Sequence, residues 1–218
     1  MATTDNQVSM RKSSTPKFAN FGEYFYWAYA NLQMLIYAIN SNKPRYGRLC
    51  YMIRAKAFKA YKEGRWEIND LYKNNRWKLQ ETGAQCWYCG KDVGSRDKLT
   101  ADHIFPRDKG GESSMDNLVM VCKSCNSSKG TTDLLEWFFE KRDEFPPPYI
   151  FAHYYKQIYL YAKTHDLLNK HREELEQMDL PFNWRYIVMD FPQPEDFYDF
   201  TDDTSINGEK PNFNNDTN

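Results

Sequence analysis

Residues 86–130 read CWYCGKDVGSRDKLTADHIFPRDKGGESSMDNLVMVCKSCNSSKG. The stretch is bracketed by two C-x-x-C pairs, Cys86/Cys89 and Cys122/Cys125. One such pair is ambiguous. Two of them with strand-like sequence between are a specific signal for a tetrahedral Zn²⁺ site closed by four thiolates. The expected zinc is structural, because a short segment with few large apolar side chains needs a staple. Between the pairs, Leu99-Thr100-Ala101 and Leu118-Val119-Met120-Val121 suit two short strands, joined by the polar loop RDKGGESSMDN. The chain turns helical after Cys122. A zinc-stapled ββα core follows from this reading.

Working outward, residues 24–42 carry no charge, but Asn31, Gln33, Asn40 and Asn42 make them a soluble helix rather than a membrane span. That helix shows an apolar i, i+3, i+4 rhythm and is broken at Lys43-Pro44. A second helix is expected from about Tyr46 to Lys62 and a third from Glu67 to Lys78. Residues 41–80 hold 11 basic and 3 acidic side chains, interleaved with aromatics. Two readings stand: a solvated helix face over an aromatic core, or a surface that tracks phosphates. On the other side, Thr132 or Asp133 can cap a helix LLEWFFEKRDEF, terminated by Pro146-Pro147-Pro148. Helices follow at about Ile150–Thr164 and Asp166–Met178, then PFNWRYIVMDFPQPEDFYDF as an extended surface segment.

The fold class is therefore α+β, a small ββα core flanked by N- and C-terminal helices. The expected divisions are a disordered tail at 1–20, a basic aromatic-rich helical region at 21–82 and the core at 83–132. An acidic helical region at 133–198 and a disordered tail at 199–218 complete them. The 218 residues carry a formal net charge of −1, yet the charge is split. Residues 1–130 hold 21 basic and 12 acidic side chains, and residues 131–218 hold 8 and 18. Such asymmetry fits a basic working surface joined to an acidic remainder. The polar start, Met1–Asn20, has no apolar run of a secretory signal, so the expected location is cytoplasmic, where the cysteines stay reduced. Cys50 reads as a buried small hydrophobe, and His153, His165 and His171 as ordinary histidines.

Within the core, Asp102-His103 follows the first strand. Pro106, Gly110-Gly111 and Asp116-Asn117-Leu118 come next, and Asn126 and Lys129-Gly130 lie beyond the second strand. Taken together, C-x2-C…DHI-x-P…GG…DNL…C-x2-CN-x2-KG resembles the HNH endonuclease family, in its zinc-containing ββα-metal branch. The resemblance covers about residues 83–132. It implies Asp102 as acidic ligand of a catalytic divalent ion and His103 as the general base that activates water. It further implies Asn117 as the residue that holds the base, and Asn126, in place of a final His, as second metal ligand. Mg²⁺ or Mn²⁺ would suit that oxygen pair. Lys129, Arg107 and Lys109 are candidate phosphate contacts. The expected function is DNA hydrolysis, one strand nicked per encounter, in a bacterial restriction or anti-phage setting. The alternative is a zinc-stapled nucleic-acid-binding or partner-docking subunit without independent catalysis. A protein partner or a homodimer is compatible with the aromatic helices; a membrane is not.

Overall fold

The structure is a computed structural model that describes residues 17–68, 83–114 and 116–197. It is mixed α and β: a two-stranded sheet with its own helix, set among longer helices. Helix α1 (Phe21–Asn40) starts at Asn20, whose side chain accepts from the Glu23 amide at 2.9 Å. It ends where Ser41 and left-handed Asn42 turn the chain toward Pro44. The lack of charge along α1 after Glu23 is explained by burial on several sides: α2 (Arg48–Lys62) packs on one side and α5 (Pro148–Thr164) on another. Cys50 is buried against Met34 and Ala38 at the α1–α2 contact.

Strands β1 (Leu99–His103) and β2 (Leu118–Cys122) pair antiparallel, with Leu99 opposite Cys122 and His103 opposite Leu118. Helix α3 (Lys123–Lys129) follows directly and covers both strands, which completes the ββα unit. Asp133 then caps α4 (Leu134–Glu136) through the amides of Leu135 and Glu136. The regular helix expected here lasts only those three residues and continues as a π-helix, Trp137–Arg142, ended by left-handed Asp143. The wider turn is compatible with burying both Trp137 and Phe138 against Tyr88, and Arg142 meets Cys125.

The helix expected at Asp166–Met178 shrinks to α6 (Arg172–Leu175). Its first half is spent elsewhere: the carbonyls of Leu168 and Lys170 accept from the Gly22 and Phe21 amides at 2.8 Å, capping α1. The segment from Pro181 onward, expected to be extended, is irregular and includes short 3-10 turns at Trp184–Tyr186 and Pro194–Asp196. It is more than a surface layer, since Phe182, Ile187 and Phe191 are buried. One apolar core runs without a break from Phe25 in α1 through Ile104, Phe105 and Val119 to Tyr155 in α5. Among the described residues, no helix is long and apolar enough to cross a membrane. The expected third helix, apart from Glu67 and Ile68, and most of both expected tails lie outside the described residues.

Candidate active site

The four expected thiols do converge. The Sγ atoms of Cys86, Cys89, Cys122 and Cys125 lie within 4.8 Å of one another. The first knuckle is fixed on β2 by the Trp87 amide, which donates to the Met120 carbonyl at 3.0 Å, and by the Tyr149 hydroxyl, which donates to the Trp87 carbonyl at 2.5 Å. Burial pushes the Cys86 and Cys125 thiols up. Cys122 is drawn down to about 6 against its own burial, by the Ser124 hydroxyl and the Cys125 amide. The Arg142 guanidinium stands 3.7 Å from Cys125 Sγ and compensates thiolate charge. This donor set fits a tetrahedral Zn²⁺.

Tyr88, inside the first knuckle, links this cluster to the sheet. Its hydroxyl donates to Asp102 Oδ2 at 2.8 Å. Burial and the neighbouring carboxylate push the phenol well above its ordinary value, so it remains a donor. Asp102 itself is buried on β1, and the same Oδ2 pairs with Lys129 Nζ at 3.2 Å.

Lys129 departs from expectation. Its side chain has no exposed surface, and its ammonium donates to the His103 carbonyl at 2.9 Å and to the Gly130 carbonyl at 3.4 Å. Burial lowers its pKa, and Asp102 opposes that shift. A side chain so enclosed is an internal counter-charge and not a phosphate contact, because its ammonium is turned onto Asp102 and the His103 carbonyl of β1. Arg107 and Lys109 are exposed on the turn after Pro106. Lys109 borders a cleft that also takes in Glu136, Glu176 and Asp179.

His103 closes β1 and is half-buried. Its Nε2 lies 3.0 Å from Ser113 Oγ. Burial, then the nearby Arg107 guanidinium, lowers its pKa below the usual 6.5. The loop that carries Ser113 is shaped by Asn117, which is fully buried. Asn117 Oδ1 accepts from the Phe105 amide at 2.7 Å, and its Nδ2 donates to the Phe105 and Glu112 carbonyls at 2.9 Å. Its hydrogen bonds thus go to loop backbone and not to the His103 ring; through Glu112 they place Ser113. Gly110 sits at φ 93°, and a Cβ on Gly111 would lie 1.9 Å from the Phe105 carbonyl oxygen, so only glycine fits there. From α5, Lys156 Nζ pairs with Asp116 Oδ2 at 2.8 Å and pins the loop's far end.

Asn126 lies on α3 above β1, with Nδ2 donating to Thr100 Oγ1 at 3.0 Å. Thr100 and Asp102 are two apart on a strand and share a face. Asp102 and Asn126 carry oxygen atoms of the type a hard divalent cation takes, although Asp102 Oδ2 is already engaged by Lys129 and Tyr88. Tyr88, Ser113 and Lys156 were not singled out from the sequence. Tyr88 had the signal of its place inside a knuckle; Ser113 and Lys156 had none.

The family model of HNH endonucleases matches residues 86–132, the span that holds both knuckles, Asp102, His103, Asn117 and Asn126. Residues 86–132 form an HNH domain. The CRISPR-associated endonuclease Cas9 of Corynebacterium diphtheriae is 34% identical to this chain over 90 residues, which are 38% of the chain and 8% of that protein. The CRISPR-associated endonuclease Cas9 of Actinomyces naeslundii is 36% identical over 77 residues, 35% of the chain and 7% of that protein. The chain therefore spans less than a tenth of the length of these relatives, and the likeness belongs to the HNH domain and its borders. No solved structure matches the chain.

Proposed function

We propose that this chain is a metal-dependent endonuclease that hydrolyses phosphodiester bonds of DNA. The observation that carries the reading is His103 at the end of β1, one ring nitrogen engaged by Ser113, next in sequence to the enclosed carboxylate of Asp102. In the tautomer that donates Nε2–H to Ser113 Oγ, Nδ1 would hold the lone pair that takes a proton from the attacking water. The lowered pKa keeps that nitrogen unprotonated at neutral pH. Lys129 and Tyr88 hold the Asp102 carboxylate in one orientation, and Asn126 is held by Thr100. A Mg²⁺ or Mn²⁺ ion on Asp102 and Asn126 would supply Lewis-acid stabilisation of charge on the phosphate and leaving oxygen. Zn²⁺ on the four cysteines would be structural, a staple for the knuckles. Asn117 acts as a positioning residue, through the loop.

One such site breaks one bond per encounter, so the isolated chain nicks. The CRISPR-associated relatives favour a role against foreign DNA, and a second protein or a second copy would be needed for a concerted double-strand cut. The test is a time course on supercoiled plasmid with Mg²⁺ or Mn²⁺. Open circles should accumulate first, and His103→Ala should abolish them while zinc content stays. Nicking by His103→Ala at the wild-type rate would refute the assignment; linear product from the start would refute the single-strand reading.

A further inference from the structure

The solvent face of α2 stands apart from the HNH site. Arg48, Met52 and Lys59 run along its middle, with Leu49 and Lys56 on one flank and Tyr51 and Lys62 on the other, over about 21 Å. No acidic side chain lies within the helix. Lys59 and Lys62 form ion pairs with Glu63 and Glu23, whereas Arg48 and Lys56 have no ion pair with a described residue. Three large apolar residues are exposed in one turn: Leu49 at 47%, Tyr51 at 43% and Met52 at 55%.

Tyr51 is held rather than loose. The Arg54 guanidinium lies 5.2 Å from its ring centroid and 4.5 Å from that of Trp27 on α1, and Arg54 also donates to Asn31 Oδ1 at 3.1 Å. Tyr46, tied by its hydroxyl to the Pro192 carbonyl at 2.8 Å, packs 6.2 Å away. Lys56 also lies 5.8 Å from the Trp66 ring centroid, and a pre-set aromatic beside cations that form no ion pair with a described residue binds with little ordering cost. An apolar protein surface would have to strip water from Arg48, Lys56 and Lys59. A strand that offers both stackable rings and phosphates satisfies the two kinds of side chain together.

We propose that this face of α2 is a docking track for an unpaired nucleic-acid strand, with a base on Tyr51 beside Leu49 and Met52 and phosphates on Arg48 and Lys56. It rests on the reading that the chain acts on nucleic acid, and it adds a second contact surface to that reading. The test is fluorescence anisotropy of a labelled 20-nucleotide oligothymidine with the full chain in the His103→Ala background, where nothing is cut. Tyr51→Ala should weaken binding about tenfold. Arg48→Ala/Lys56→Ala should lower the log–log salt slope by about 1.4, at ~0.7 per phosphate contact. All three side chains are on the surface, and retained zinc content checks the fold of each variant. Unchanged affinity and slope in both variants would overturn the proposal, as would tighter binding to the matching duplex with Tyr51→Ala silent, or preference for anionic vesicles over oligonucleotide. The plasmid assay is independent: nicking that survives His103→Ala refutes the catalytic reading and leaves these binding results standing.

Discussion

Replacing Lys129 by Met should destabilise the protein strongly, though the sequence offers the position as a candidate phosphate contact. The Lys129 side chain is 0% exposed and that of Asp102 9%. Their 3.2 Å pair is the buried carboxylate's cationic partner, alongside the Tyr88 hydroxyl. Removing the ammonium leaves that carboxylate uncompensated and takes a donor from the His103 carbonyl. Breaking a buried pair from one side costs about 3–5 kcal/mol. For a chain of this size, that lowers the melting temperature by roughly 6–20 °C. Thermal unfolding of zinc-loaded protein measures it. Asp102→Asn/Lys129→Met should recover most of the loss, because the double variant removes both charges. A Lys129→Met protein that melts within about 1 °C of wild type, yet binds DNA more weakly, would put the ammonium in solvent and refute the reasoning.

Ser113→Ala should lower kcat by about tenfold or more with KM little changed, and Ser113→Thr should restore much of it, as expected for a hydroxyl that sets the imidazole tautomer; steady-state nicking kinetics decide. Cleavage requires neutral His103, whose folded pKa is lowered, so activity should persist as pH falls to 6.5 and fail only below it. Arg107→Ala should move that acid limb upward, since Arg107 is the second cause of the lowering after burial; a pH–rate profile of kcat/KM checks both. Cys86→Ser, or removal of zinc, should unfold the knuckles and not merely slow the chemistry, which circular dichroism with elemental analysis would show. A folded, zinc-free Cys86→Ser protein would contradict it.

The convergence of the four cysteines and both strands were legible because their signals are local. C-x-x-C spacing, an alternating apolar run and a Gly-Gly turn need no knowledge of the rest of the chain. The direction of Lys129 was not local. Its lysine and the carboxylate it meets are far apart in sequence, and only the packing of α3 on β1 shows that the ammonium turns inward. Ser113 likewise meets His103 through a loop that Asn117 ties at Glu112 and Phe105. At 166–171 helical propensity gave way to the open amides of α1, which needed the carbonyls of Leu168 and Lys170. The π-turn of Trp137–Arg142 answered to the buried pair Trp137 and Phe138, whose consecutive positions no regular amphipathic pattern separates.

The unbroken apolar core bears on portability. The span matched by the family ends at residue 132, yet Trp137 and Phe138 pack on Tyr88, the Tyr149 hydroxyl holds the Trp87 carbonyl, and Lys156 holds Asp116. A piece cut at the family boundary would shed all of these and bare Ile104 and Phe105 to water. The nuclease segment is thus poorly suited to transplantation as a cassette. A graft that keeps the loop between His103 and Asn117 in shape must carry the chain at least through Lys156, so the unit that can be moved between proteins is longer than the unit that sequence comparison recognises.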